Sequence, residues 1–451
     1  MKTITICAIL ILTVSAVAQP LTVHEWGTFT SLHGSHGGIL SGLYFEEEQL
    51  PPFVYHFPGF SPDSAIQLNG YFPCKNVTVK METPVLYFYS DIERHFQLNV
   101  NFPHGVISEW YPNRSGGDIA PSGDTLDLNT EHVGEISWDA TVLEKNTENQ
   151  LTEISNTTAK WEAARQTDAN LVMNQSGEVE KYLFYRGIAN FSLPLELYFS
   201  DSTQLIVRNN SASDISFMYI YDHMINDGVR IWGIGPIRSE ETKVFAMPGS
   251  YNSNQDNAPF QKALVGAGLN DKEALALLTT WSEGYFQTIG FKVFWIMPRK
   301  ITDQTIPLTM NPTPDTLQRV MVGKTEILTI PFEKELLDYY TIHGNLDQWK
   351  NHPYYLAYLQ RVKELYKPVA NEGVAGDMLQ NGFTISPNPA ETKIQIFGTS
   401  ANPFVTIRNT LGEIILRSSQ TEIDIHDLTP GMYFLTAADG AKRETMKLIK
   451  K

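Results

Sequence analysis

The sequence is poor in cysteine and in positive charge, and it contains a single long apolar run. Two cysteines, Cys7 and Cys74, occur in 451 residues. Cys7 falls inside the N-terminal apolar run. Removal of that run as a leader leaves Cys74 alone, so no intrachain disulfide can form. A lone thiol is compatible with an oxidising export route, because it has no partner to mispair with. Cys74 stands between Pro73 and Lys75 with no base at a recognisable spacing, so no nucleophilic role is expected for it. Lysine and arginine number 34 against 50 aspartates and glutamates, a net charge of −16. Nucleic acid is excluded as a partner, as are anionic membrane surfaces, because an acidic surface repels both. No later stretch approaches the roughly eighteen uncharged apolar residues of a membrane span, so no transmembrane segment is expected after leader removal. Internal repeats are absent.

Several catalytic signatures are also missing. There is no Gly-x-Ser-x-Gly elbow for a nucleophilic serine. No His-Glu-x-x-His aims two imidazoles from one helix face. Val322-Gly-Lys-Thr carries the end of a phosphate-binding loop without its upstream glycine, and it precedes a strand. No Gly-x-Gly-x-x-Gly opens a helix, so no nucleotide is expected and no cofactor is assigned.

What is present is apolar residues at 42%, enough for large cores in two to four domains at about 100–200 residues each. Lys2, an apolar run over 4–14 and Ser15-Ala-Val-Ala18 read as a signal peptide, 1–18, cleaved after Ala18. Strand-like runs dominate the body, 19–368: 22–31, 77–90, 96–102, 182–185, 195–199, 204–208, 215–222, 291–298 and 325–330. Helical patterns fall at 161–166, 260–268, 271–284, 333–340 and 354–367. Asn270 is the expected cap of the third and Gly284 its stop. The expected fold is a β-rich α+β body with a helical addition in its C-terminal third. A small, polar, Gly-bearing linker follows at 369–380. Residues 381–451 then hold short strands separated by turns, the pattern of a small Ig-like β-sandwich.

Ionisable side chains in the body suggest two chemistries. His24, His33, His36 and His56 are weak candidates for a metal site, since imidazoles are common zinc ligands. His33 and His36 lie in a glycine-rich loop without a helical frame, and His24 adjoins Glu25 on a strand, so the pair faces opposite ways. No metal is therefore assigned. Glu25, Glu82 and Glu109 stand beside aromatic or apolar residues that could raise a carboxyl pKa, the requirement for paired-carboxylate hydrolysis. Glu82 and Arg186 each interrupt an apolar aromatic run. An unpaired charge there is costly, so a structural ion pair between them is expected.

The tail residues resemble a known family. Ser386-Pro-Asn-Pro-Ala, the element Leu428, Gly431 and Tyr433, and the basic end Lys447-Leu-Ile-Lys-Lys are similar to the type A sorting domain of the type IX secretion system. Pro387, Asn388, Pro389, Gly431 and Tyr433 are the motif positions. The resemblance implies a Bacteroidetes source, Sec export and then passage across the outer membrane by the type IX machinery. The destination it implies is extracellular or the outer cell surface. Val23-His-Glu-Trp-Gly-Thr-Phe-Thr, Lys80-Met-Glu-Thr-Pro, Lys181-Tyr-Leu-Phe-Tyr-Arg-Gly and Gln318-Arg-Val-Met-Val-Gly-Lys-Thr together resemble an uncharacterised family of exported bacterial proteins. That second resemblance brings no activity or catalytic residue. The body is expected to be a binding or structural module of unknown ligand, the alternative being an extracellular hydrolase of glycans or peptides.

Overall fold

The computed structural model describes residues 20–43, 50–57, 74–119, 126–129, 133–145, 151, 159–224, 228–250, 257–366, 383–397, 403–409, 414–439 and 442–451. The expected leader and linker lie outside the described residues. The chain divides into two compact units, Met1–Val362 and Lys363–Lys451. It is rich in strand, with several sheets and a few helices.

The first unit is organised around one strand, β1 (Thr22–His33), which is buried along nearly its whole length. Its β-branched and aromatic residues suit a pleated surface covered on both faces. The expected strand over 77–90 is broken into β2 (Val79–Met81) and β3 (Val85–Tyr89), both antiparallel to β1. Pro84 lies in the break and has no N–H to give to a ladder. Further strands of the body's large sheet include β4 (Arg94–Pro103), β5 (Gly105–Tyr111), β6 (Val133–Val142), β7 (Leu183–Ala189), β8 (Ile215–Met224), β9 (Gly228–Ile237), β10 (Gly290–Met297), β11 (Leu308–Asn311) and β12 (Thr316–Ile327), and Leu195–Asp201, Gln204–Asn209 and Thr242–Ala246 form a separate three-stranded sheet. The central path of the large sheet runs β6-β5-β7-β2-β1-β12-β10-β8-β9, with β4 pairing both β6 and β11. Strand β12 runs parallel to β1 from Thr22↔Thr316 to His33↔Ile327. This closure joins segments far apart in the chain, which no local pattern announces.

Alternation along β1 divides the core in two. Val23 and Phe29 point into a cluster that includes Phe96, Leu98, Trp138, Tyr185 and Trp295. Trp26 points into the other, with Tyr87, Tyr182, Phe184, Phe294 and the helical residues Trp161, Phe260, Leu277 and Trp281. Burying each such ring contributes roughly 1.5–3 kcal/mol. The helices are α1 (Ala159–Arg165), α2 (Ala258–Gly266), α3 (Asp271–Thr280), α4 (Arg299–Thr305), α5 (Ile330–His343) and α6 (Tyr355–Leu365). Asn270 caps α3 in a reciprocal box with Glu273. The α-helix ends at Thr280, before the expected stop at Gly284, and continues as a wider turn, Ser282–Gln287, that buries Tyr285 and Phe286. Gly323 is required in β12 because a Cβ there would sit 2.4 Å from the Trp295 indole nitrogen and 2.8 Å from Phe29. Among the described residues no helix is long and apolar enough to cross a membrane.

The second unit has two small sheets around one core. One holds Thr384–Ser386, Lys393–Phe397 and Glu422–Asp424. The other holds Phe404–Arg408, Ile414–Ser418, Gly431–Asp439 and Lys442–Lys450. Ile385, Ile394, Val405, Leu428, Tyr433, Leu435 and Leu448 fill the space between.

Candidate functional site

On the Trp26 face of the central sheet, β1 is flanked by two like-patterned strands. Lys80 on β2 and Lys324 on β12 are both register partners of Thr30. Each carries a glutamate two residues on, which period-two alternation places on the same face. Lys80 Nζ lies 3.1 Å from Glu82 Oε1, and Lys324 Nζ lies 3.2 Å from Glu326 Oε1. Because β2 is antiparallel to β1 and β12 is parallel to it, the two dyads extend in opposite senses from Thr30. All five residues are buried. Tyr354 donates to Glu326 at 2.7 Å, and Lys324 sits 5.8 Å from the centre of the Tyr285 ring. Lys292, in register with Glu326, donates to Thr288 Oγ1 at 2.7 Å.

Toward β7 the charges continue. Arg186 Nε donates to the Glu82 carbonyl oxygen at 2.7 Å, and Arg186 Nη1 lies 3.3 Å from Glu109 Oε2. Arg186 thus touches the main chain of Glu82 and the carboxylate of Glu109, and the Glu82 carboxylate touches Lys80. Arg186 also lines a cavity of about 20 Å³ with Trp26, Thr83, Trp161, Tyr182 and Phe184. That is room for about one water molecule. Trp281 Nε1 donates to Thr83 Oγ1 at 2.9 Å beside it.

Glu25 lies on the opposite face, away from Glu82 and Glu109. It is wholly buried, accepts from Tyr185 at 2.6 Å and from Arg319, and Arg319 Nη1 reaches Asp303 at 2.9 Å. Burial alone would lower the Arg319 pKa, but the Glu25 carboxylate outweighs it and holds the guanidinium charged. Burial, reinforced by Glu25, pushes the Tyr185 hydroxyl well above its ordinary value.

The four histidines have separate surroundings. His24 Nδ1 contacts both carboxylate oxygens of Glu273 at 2.9 and 3.0 Å, and Tyr89 shares that carboxylate at 2.5 Å. His33 is buried, and burial pushes it down to about 4 against a weaker main-chain contact at Leu197. His36 Nδ1 lies 2.7 Å from Arg361, which is paired with Glu333 at 2.8 Å. His56 is exposed, opposite Glu109 in register. Among the described residues no group of three or more His, Cys, Asp or Glu side chains could hold a metal ion. Burial raises the Cys74 thiol to about 12.

Sequence reasoning reached Glu82, Glu109 and Arg186 and missed Lys80, Lys324, Glu326 and Lys292. A usable signal was there: Lys-x-Glu occurs in two strand-like apolar runs, as Lys80-Met-Glu82 and Lys324-Thr-Glu326. The arrangement can fix strand register and hold a polar atom at Arg186.

In the tail, Asn388 Nδ2 donates to the Lys447 carbonyl at 2.6 Å and its Oδ1 accepts from Ile449 N at 2.9 Å. Tyr433 donates to the Thr429 carbonyl at 2.9 Å. The Pro-Asn-Pro turn is therefore tied to the last strand, and the Gly-x-Tyr element to the turn before it.

Residues 384–451 match the family described as secretion system C-terminal sorting domain. No curated protein matches the chain. Among solved structures, the yeast delta-COP-I mu-homology domain aligns at 8% identity and TM-score 0.27, covering 68% of this chain and 98% of that one. The BSP domain of a biofilm associated protein aligns at 11% identity and TM-score 0.13, covering 86% and 79%. At such scores neither likeness bears on fold or function.

Proposed function

We propose that this is a secreted or cell-surface protein that leaves the cytoplasm by a Sec leader, 1–18, and crosses the outer membrane by the type IX machinery. Its sorting module is the Ig-like sandwich 381–451, joined by the linker 369–380 to the body 19–368, where the helices from α2 onward are an addition to the sheet. The source is a member of the Bacteroidetes, and the body belongs with exported proteins bearing the His-Glu-Trp-Gly-Thr-Phe-Thr strand. The observation that carries the reading is the sorting-domain match at 384–451, whose motif residue Asn388 staples the turn to the final strand. N-terminal sequencing of protein recovered outside the cells tests the route. A start at Gln19 supports it, and a start at Met1 contradicts it.

The body acts as a binding or structural module. Glu25, Glu82 and Glu109 each touch a cation inside the fold, and the cavity beside Arg186 is too small for a sugar or a peptide. A second reading, extracellular hydrolysis of glycans or peptides by paired carboxylates, rests on one observation: Arg186 touches Glu82 and Glu109 at once beside aromatic walls. Release of reducing ends or new amino termini by the purified protein, lost in Glu109→Gln with unchanged melting, would establish that reading. Absence of turnover on both substrate classes favours the binding module.

A further inference from the structure

We propose that the solvent face of β11-β4-β6 is a binding groove for a neutral, polyhydroxylated chain, a glycan without charged groups. This deepens the reading of the body as a binding module and rests on it. Strand β4 lies between β11 and β6, antiparallel to both. Its alternate residues Phe96, Leu98 and Val100 enter the core. The intervening ones form cross-strand rows on the other face: Asn311, Gln97 and Asp139 in one, Thr309, Asn99 and Ser137 in the next. Neighbours within a row stand ~4.8 Å apart, and the rows are separated by two residues, ~7 Å along the strand. Together they line an open recess of about 510 Å³, with Ser115 and Gln175 also lining it. That lies within the ~300–1,000 Å³ of small-ligand sites.

The side-chain choice is what needs explaining. Asn and Asp are depleted from strand interiors, since they gain little from a pleated surface. Here Asn99 and Asp139 occupy mid-strand positions and Asn311 ends a short strand. Residues that break a local rule without a packing gain mark functional positions. Charge narrows the ligand. Among the described residues, Lys, Arg and Glu do not line the recess. The carboxylate among its described lining residues, Asp139, is engaged by Gln97 Nε2 at 3.0 Å and His95 Nε2 at 2.7 Å, and these contacts hold it below the usual carboxylate range. On a protein of net charge −16, a recess whose described lining carries a single, engaged charge is built for neither a polycation nor an anion.

Each amide offers a donor and an acceptor on one planar group, the complement of adjacent sugar hydroxyls. The existing contacts set their direction. Ser137 donates to Asn99 Oδ1 at 2.9 Å, which turns the Asn99 NH₂ outward as a donor. Gln97 gives its NH₂ to Asp139, which presents Gln97 Oε1 as an acceptor. Groups oriented before binding lose less entropy when the ligand arrives.

Affinity electrophoresis of the intact secreted protein through gels containing a neutral mannan, xylan, β-glucan or galactan, or polygalacturonate as the anionic control, tests this. Retardation by at least one neutral polymer is expected. The surface variant Asn99→Ala/Asn311→Ala should melt as the parent does and bind that polymer about tenfold more weakly, two hydrogen bonds being lost. Binding undiminished in the variant places the ligand elsewhere and overturns the groove while leaving the binding module standing. Retardation by polygalacturonate alone, or by no polymer, overturns the groove as well. Cleavage of the retained polymer, abolished by Glu109→Gln, overturns the binding-only reading, and the groove is then decided by the Asn99→Ala/Asn311→Ala retardation alone.

Discussion

Arg319 donates to Glu25 across the parallel ladder of β1 and β12, where the two are register partners 294 residues apart in sequence. Both are buried. The pair therefore closes the body by joining its first strand to its last, and an exposed carboxylate is not available there for chemistry. Arg319→Met leaves Glu25 charged and buried with Tyr185 as its remaining donor. A loss of ~3–5 kcal/mol in unfolding free energy is expected from denaturant melts. A change under about 1 kcal/mol would show that the pair is dispensable.

Arg186 touches the Glu82 main chain and the Glu109 carboxylate, and the second contact is measurable. A double-mutant cycle on stability, Glu109→Ala with Arg186→Leu, is expected to show coupling of about 1 kcal/mol or more. Additive losses would mean that the two side chains do not stabilise the fold as a pair.

How much was legible varies along the chain. The strand at 22–31 was readable because its aromatic and β-branched residues favour a pleated surface, and Asn270 was readable as a cap because its side chain acts on the helix just after it. The break at Pro84 lay in plain view within the expected strand 77–90, but its effect, placing Glu82 between two short strands, follows from pairing with β1. The partnership of Glu25 with Arg319 was not legible, since a parallel ladder between chain ends leaves no local pattern. Glu82 and Arg186 were recognisable as neighbours from the cost of burying charge, yet Glu109 as a partner of Arg186 follows from strand register. The amides of β4 and β11 went unread because exposed polar residues at period two look like any solvated strand face.

His33 should make stability depend on pH. Its folded pKa, about 4, lies below the ordinary 6.5, so the unfolded chain binds the proton first. The neutral form's contribution is complete above pH 6.5 and is lost as pH falls toward 4, a total of ~3 kcal/mol. The difference in unfolding free energy between parent and His33→Gln, followed from pH 7.5 to 4, should therefore shift by that order in favour of the variant as pH falls. A difference that stays constant with pH would mean that His33 does not carry the effect.

Asn388 links the Pro-Asn-Pro turn to the strand that ends the chain. Asn388→Ala removes both hydrogen bonds, at a cost of about 1 kcal/mol for the partly buried one to Ile449 N–H. Export should fall with it, read as protein accumulating in the periplasm on fractionation. Asn388→Asp keeps the acceptor for Ile449 and should retain part of the export. Normal surface levels of Asn388→Ala would separate the sorting signal from this staple.

Deletion of residues 381–451 tests the role of the tail most directly. With the leader intact, the truncated chain should be found folded in the periplasm, processed at its N-terminus and missing from the cell surface and the medium. Truncated protein outside the cell at the level of the full chain would contradict export through the sorting domain.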